Sequence, residues 1–321
     1  MKTRNLIALA LLACAAFAGP AAAFPDKPVR VVLGFAPGGN VDIVNRIVAQ
    51  AMGEELKQSF VVDNRAGANG AIGAEAVARA APDGYTLFVT VTETHALNPA
   101  LRKSLAYHPI KDFTSIGIVD TFAFALVLGP KFPAANVAGF VAYAKQNPGR
   151  LNFSSWGNGS LSQVAMEQLK QSAGIDLVHI PFKGSAPAIT ALVAGQVEAM
   201  VAPLSLAVPY AADGRVKLVG VTSTQREDTA PNVPTLIEQG LAVDVTGWHV
   251  LQAPAGTPAS AIATLNRALN AALNRADVRD KLLKAGVKPA GNSTPQEAQA
   301  LVESNYQRWG EVARRAGMKP E

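Results

Sequence analysis

The stretch Val29-Arg30-Val31-Val32-Leu33-Gly34-Phe35-Ala36-Pro37-Gly38-Gly39-Asn40-Val41-Asp42 limits the possible folds more than any other. A β-branched apolar run reads as a buried strand, and Pro-Gly-Gly ends it in a tight turn. Asn40 or Asp42 is then placed to cap a helix with Ile43, Val44, Ile47 and Val48 on its apolar face. Strand, glycine turn and helix start in succession gather unpaired backbone N–H groups in one small space. That space favours negative charge through both the donors and the helix dipole. The spacing is neither a dinucleotide fingerprint nor a phosphate loop, so a bare strand-to-helix turn remains open until other loops face it.

The same alternation continues. Phe60–Asp63 and Thr86–Val91 read as further strands, with a helix from Ile72 to Ala80 and a Pro82-Asp83-Gly84 turn between them. After the third strand comes a polar loop, Thr92-Glu93-Thr94-His95. Strands alternating with helices imply parallel pairing, and in such sheets ligands sit beyond the carboxyl ends of the strands. The high apolar content of Ser115–Leu128 reads as strands leaving one domain for another. The opening pattern then recurs: Leu151–Phe153 runs into Ser154-Ser155-Trp156-Gly157-Asn158-Gly159-Ser160, and Leu177–Phe182 into Lys183-Gly184-Ser185-Ala186-Pro187. Val245–Leu251 reads as a return strand. Pro258–Asn274 and Val278–Ala285 read as helices, and Thr294-Pro295-Gln296-Glu297 as a capping box that opens a last helix ending near Gly317.

Residues 1–23 read as a secretory signal: Lys2 and Arg4, an apolar run from Leu6 to Ala18, and an Ala-rich end with cleavage expected after Ala23. Lipidation at Cys14 is the competing reading. Cleavage removes the single cysteine, and with it disulfide, thiolate and cysteine–metal chemistry. It also lowers the formal net charge from +5 to +3, too little and too scattered for a nucleic acid partner.

Four small-residue loops (35–42, 92–98, 154–160 and 182–187) thus belong to two α/β units. Loops of this kind, facing one another, make a cleft of backbone N–H and hydroxyl donors suited to a small carboxylate. Catalysis has little support. His95, His108, His179 and His249 show no metal spacing, no Gly-x-Ser-x-Gly elbow occurs, and no metal or cofactor is expected. His95 is the best polar candidate of the four, and His179 reads as a core residue. Lys183 stands equally as a counter-charge or a rim residue. Trp156, among glycines and serines at a strand end, reads as a stacking surface at least as well as a packed one. An exported hydrolase acting on a carboxylate ester is the rival from another class. It requires a base beside Ser155 or Ser160, so His95 or His179 within hydrogen-bond reach of either would revive it.

With these residues assembled, the chain resembles the Bug family, the extracytoplasmic solute receptors of tripartite tricarboxylate transporters. The likeness rests on Phe35-Ala-Pro-Gly-Gly with Asp42, Asn64-Arg65, Ile72-Gly-Ala-Glu-Ala-Val-Ala, Ala81-Pro-Asp-Gly-Tyr-Thr-Leu and Thr94-His95-Ala96. It continues through Asn98-Pro99-Ala100-Leu101, Lys111-Asp112-Phe113, Asn158-Gly159-Ser160, Lys183-Gly184-Ser185-Ala186-Pro187, Ala253-Pro-Ala-Gly-Thr-Pro258 and Arg308-Trp309-Gly310. The resemblance implies a type II periplasmic binding protein: two α/β domains, 24–123 plus 247–321 and 124–246, joined by a two-strand hinge with the ligand between them. It implies a monomer that binds a small carboxylate (a di- or tricarboxylate or an aromatic acid) and delivers it to inner-membrane transporter subunits; a receptor feeding a sensor kinase is the alternative. The ligand residues it implies are Phe35, Pro37, Gly38, Gly39, Asn40, Asp42, Thr92, Glu93, Thr94 and His95 from the first domain. From the second they are Ser155, Trp156, Asn158, Gly159, Ser160, Lys183, Gly184, Ser185 and Ala202.

Three departures from the family pattern bear on the ligand. Ala202 and Pro203 stand where many relatives carry an acid and an asparagine, which argues against an amino acid. Glu93 replaces a small residue, and its carboxylate repels a ligand carboxylate unless it is turned away or protonated. Trp156 offers a ring face. Together they lean toward a carboxylate with an apolar or aromatic body.

Overall fold

The computed structural model describes residues 24–315. The signal, its cleavage point, Cys14 and the expected end of the last helix near Gly317 lie outside the described residues. The first α/β unit contains β1 (Val29–Leu33), α1 (Asn40–Leu56), β2 (Phe60–Asn64), α2 (Ala71–Ala78) and β3 (Thr86–Val91). A π-helical turn, Glu93–Leu97, runs directly into α3 (Asn98–Leu101). The chain then crosses the molecule in β4 (Phe113–Leu128), one unbroken 16-residue strand. The second unit holds α4 (Val137–Gln146), β5 (Asn152–Ser155), α5 (Leu161–Ala173), β6 (Val178–Pro181), α6 (Ser185–Val193), β7 (Ala199–Pro203), α7 (Leu204–Ala212) and β8 (Lys217–Val221). The return consists of β9 (Thr246–Pro254), α8 (Ala259–Asn274), α9 (Ala276–Lys284), β10 (Lys288–Pro289) and α10 (Pro295–Arg315).

Strand pairing gives the order β2-β1-β3-β9-β4-β7-β5-β6. Each unit is parallel within itself (β1 with β2 and β3, β5 with β6 and β7), as crossover helices require. The antiparallel strands β4 and β9 stitch the units together. β4 pairs with β9 as far as Ala123↔Thr246, then changes partner and pairs with β7 from Phe124↔Pro203 onward. The carboxyl ends of β1, β3, β5, β6 and β7 therefore open toward one seam.

Burial follows the apolar pattern with instructive exceptions. On α8, Ile262, Leu265, Leu269 and Leu273 are buried as the spacing requires. On α1 the buried face is Val44, Val48, Ala51 and Met52, with Asn45 among them, while Ile43 is exposed and Ile47 half-buried. The helix is rotated from its expected face because its first turn is committed to the seam. The capping box holds: Thr294 Oγ1 accepts from the Glu297 N–H at 3.1 Å, and a Glu297 carboxylate oxygen accepts from the Thr294 N–H at 2.8 Å. Trp309 of α10 is fully buried and belongs to the cluster of Phe124, Phe153 and Leu161, together with Ala96 and Leu97 of the π turn. The last helix thus contributes to the second unit's core.

Candidate functional site

The seam encloses a cavity of about 80 Å³, room for on the order of five water positions. Its walls are the 35–41 turn, Val91–Glu93, Phe122 and Phe124 at the crossover, Trp156 with Leu161, the 183–187 segment, Pro203, and Gly247–His249.

The Pro-Gly-Gly turn is built from behind. Gly38 adopts φ +82°, which glycine reaches without strain, and its N–H donates to Asp42 at 3.0 Å. The Asp42 carboxylate also receives Arg46 Nε at 3.0 Å and Asn64 Nδ2 at 2.9 Å, and Asn64 Nδ2 donates as well to the Phe35 carbonyl at 3.0 Å. Burial alone would raise the Asp42 pKa, but the Arg46 guanidinium, the Gly38 N–H and the Asn64 amide outweigh it and hold the carboxyl below its usual range. Neither Asn40 nor Asp42 caps α1. Gly39 takes that position without a side-chain cap, so the helix starts at Asn40 with its first N–H groups lacking intrahelical acceptors. Asp42 is occupied in fixing the turn instead.

Across the seam, Asn40 Oδ1 accepts from Ser205 at 2.8 Å, and Asn69 Nδ2 donates to the Gly159 carbonyl at 2.9 Å. Glu93 reaches further. One carboxylate oxygen accepts both Trp156 Nε1–H at 3.0 Å and the Leu161 N–H at 3.2 Å, the latter in the first turn of α5. Trp156 itself stacks on Phe124 with ring centroids 5.8 Å apart. Burial pushes the Glu93 pKa up, against the N–H groups of Leu161 and of Glu93 itself, the Trp156 indole and the charge of His249.

His249 and Asp120, both fully buried, form a pair at 2.9 Å from Nδ1 to the carboxylate. Asn40 Nδ2, Thr92 Oγ1, Trp248 Nε1 and His249 Nε2 are buried, lack a hydrogen-bond partner among the described residues, and belong to residues lining the cavity. An amide, a hydroxyl and an indole N–H donate, and each costs about 1–3 kcal/mol when buried unsatisfied; His249 Nε2, with Nδ1 turned to the Asp120 carboxylate, donates only from the protonated ring. Such groups are complemented by a ligand bearing acceptor oxygens. The apolar remainder of the wall (Phe35, Phe122, Phe124, Trp156) suits the body of such a ligand.

Of the residues singled out from sequence, Phe35, Pro37, Gly39, Asn40, Thr92, Glu93, Trp156, Lys183, Gly184 and Ser185 line this cavity. Gly38 and Asp42 stand behind the turn, and Asn158, exposed beside Gly159, does not line the cavity. Ser160 caps α5, accepting from the Gln163 N–H, and Ala202 faces the core while its neighbour Pro203 reaches the cavity. Thr92–His95 is not a loop but leads into the buried π turn, so Thr94 bonds back to Thr90 and Val91. His95 lies away from the cavity among Phe88, Tyr107 and Phe113. Burial drives its pKa down to about 3 against the opposing Gln252 amide. Its folded pKa is thus below the unfolded value, so stability is lost as pH falls from about 6.5 toward 3. Chemical denaturation at pH 4.5 is expected to show about 2–3 kcal/mol less stability than at pH 7 on this account, and His95→Phe is expected to remove that part.

His179 is not a core residue but half-buried on β6, and Ser155 Oγ lies 2.6 Å from its Nε2. This is the pairing a hydrolase would need, yet it is unfitted for attack. Ser155 is fully buried outside the cavity, and its oxygen already engages the Gly157 N–H and carbonyl. Burial lowers the His179 pKa to about 4, assisted by the Lys170 cation, opposite in sign to the carboxylate that orients a catalytic histidine.

Sequence reasoning missed Arg46, Phe122, Phe124, Ser205 and the Asp120–His249 pair. Asp120 and His249 each sit in an apolar run, a detectable oddity, but only the β4–β9 register places them together.

Comparison with known proteins agrees with this architecture. The model of the tripartite tricarboxylate transporter family receptor matches residues 44–318. The chain is 31% identical to protein BugT of Bordetella pertussis, over 99% of this chain and 98% of that protein. Two solved structures are similar along nearly their whole length. R. palustris Rpa4515 with adipate has 32% identity and a TM-score of 0.89, over 93% of this chain and 100% of that one. MatC of Rhodopseudomonas palustris with bound malate has 36% identity and a TM-score of 0.84, over 90% and 99% respectively. With two α/β domains, a shared pair of crossing strands and a cavity between them, the chain belongs to the Bug family of tripartite tricarboxylate transporter receptors, on the type II periplasmic binding-protein fold.

Proposed function

We propose that the protein is a periplasmic receptor that closes on a small organic carboxylate and hands it, chemically unaltered, to the membrane subunits of a tripartite tricarboxylate transporter. The observation that carries this reading is the set of buried polar atoms without a partner among the described residues on Asn40, Thr92, Trp248 and His249, at a largely apolar cavity. The carboxylate sits against them and the open first turn of α1, and the second domain covers the rest with Trp156 and the 183–185 segment. The domains divide at 123/124 and 246/247, where β4 changes partner and β9 begins, so a two-strand hinge opens and closes the seam. Hydrogen bonds from Ser205, Trp156 and Leu161 to the first domain support closure as the working motion. The relatives solved with adipate and with malate support the ligand class. The reading of residues 1–23 as a secretory signal supports export.

Thermal denaturation of the mature protein with a panel of organic acids tests the reading. An acid at a hundred times its Kd should add about 2.7 kcal/mol of stability and be recovered with its mass unchanged. Failure of every acid to stabilise the protein, or recovery of a product, would overturn it. The Ser155–His179 pair makes the hydrolase reading specific enough to exclude by the same preparation: ester turnover abolished by Ser155→Ala would establish it, and none is expected.

A further inference from the structure

We propose that Glu93 is the specificity determinant of this site: its carboxylate fills the anion position that the second domain offers, so the receptor selects acids with one carboxylate and an apolar body and discriminates against dicarboxylates. The inference rests on the carboxylate reading above and narrows it.

The groups around Glu93 form an anion site that the protein has already occupied. The Leu161 N–H opens the 13-residue helix α5, where unsatisfied donors and the dipole favour negative charge. Trp156 Nε1–H adds a second donor, and both converge on one Glu93 oxygen at 3.2 and 3.0 Å. The second acceptor-hungry region, formed by Asn40, Thr92 and His249, lies in the same cavity and has no such internal partner among the described residues. The Trp156 and Leu161 donors therefore already hold a carboxylate, whereas the Asn40 amide and the Thr92 hydroxyl hold none. A monoacid complements that asymmetry: its carboxylate meets the free donors, and its body lies along Phe35, Phe122 and Trp156. A dicarboxylate that also meets these donors brings its second anion against Glu93, and neighbouring like charges disfavour each other. The charged and titratable groups facing this carboxylate are few. They are His249 from β9, backed by Asp120 of β4, and Lys183 at the cavity edge. His249 acts on any bound acid, whether it carries one carboxylate or two. The ratio of the two affinities therefore isolates Glu93.

Calorimetric titration with phenylacetate and adipate, on the wild-type protein and Glu93→Gln, tests the proposal. Glutamine keeps an acceptor for Trp156 and Leu161 while removing the charge. The wild-type protein is expected to favour phenylacetate at least tenfold at pH 8. Glu93→Gln is expected to move the ratio at least tenfold toward adipate. Melting of each variant without acid checks that the fold is kept. A ratio indifferent to Glu93→Gln, with both acids bound, overturns this inference alone. Binding of neither acid by the wild-type protein overturns the carboxylate reading and this inference with it.

Discussion

The double variant Asn40→Ala/Thr92→Val is expected to bind its acid about 10²–10⁴-fold more weakly than the wild-type protein while keeping nearly the same stability. A hydrogen bond to a charged group contributes about 1.5–3 kcal/mol, so two lost together weaken binding by about 3–6 kcal/mol. The stability side argues the other way. The Thr92 hydroxyl is buried without a partner among the described residues, so an isosteric valine removes an unsatisfied group and should stabilise the unliganded fold. Asn40→Ala gives up the Ser205 bond, about 1 kcal/mol in the opposite direction. Residues that merely held the fold would behave in reverse, losing stability and sparing affinity. Titration calorimetry and urea denaturation on the same samples separate the two patterns.

Trp309→Ala is expected to destabilise the protein by about 3–5 kcal/mol, the range for removing a fully buried large side chain. The indole belongs to the cluster that holds Phe124 and Phe153, although α10 comes from the return segment of the chain. Its neighbour Arg308 ties the same helix turn to Asp244, with a 2.9 Å ion pair and a bond to the Asp244 carbonyl. The exposed ion pair contributes little by itself. The truncated ring leaves a cavity where the π turn, β4 and α10 meet, so urea denaturation should show the loss in the midpoint. A loss below about 1 kcal/mol would mean that the helix end is not coupled to that core.

Much of this architecture was legible because the local signals are strong. Thr86–Val91 read as a strand residue for residue, the first strand was legible from Val29 up to its Pro-Gly-Gly turn, and the Pro258–Asn274 spacing exposed its buried face. The alternation of strands and helices also located the seam, since parallel strands send their carboxyl ends to one edge. What sequence left obscure depends on partners distant in the chain. Glu93 looked like an unfavourable charge beside an anion; only the arrival of Trp156 and Leu161 shows where it points. His95 looked like the best polar candidate because Thr92–His95 has the composition of a loop. The π turn instead rotates it into an aromatic core, and brings Thr92 and Glu93 to the cavity. Asp42, taken for a helix cap, is consumed by Arg46, Asn64 and Gly38, so the turn it braces is more rigid than its glycines suggest.

The central claim is that the Asn40 amide and the Thr92 hydroxyl, with the Asp120-paired His249 beside them, hold the carboxylate of a small acid in the cavity. Titration calorimetry of phenylacetate into the wild-type protein and into Asn40→Ala/Thr92→Val tests it most directly. The account predicts one site per chain in the wild-type protein and an affinity at least a hundredfold weaker in the variant. Equal affinities for the two proteins would contradict it.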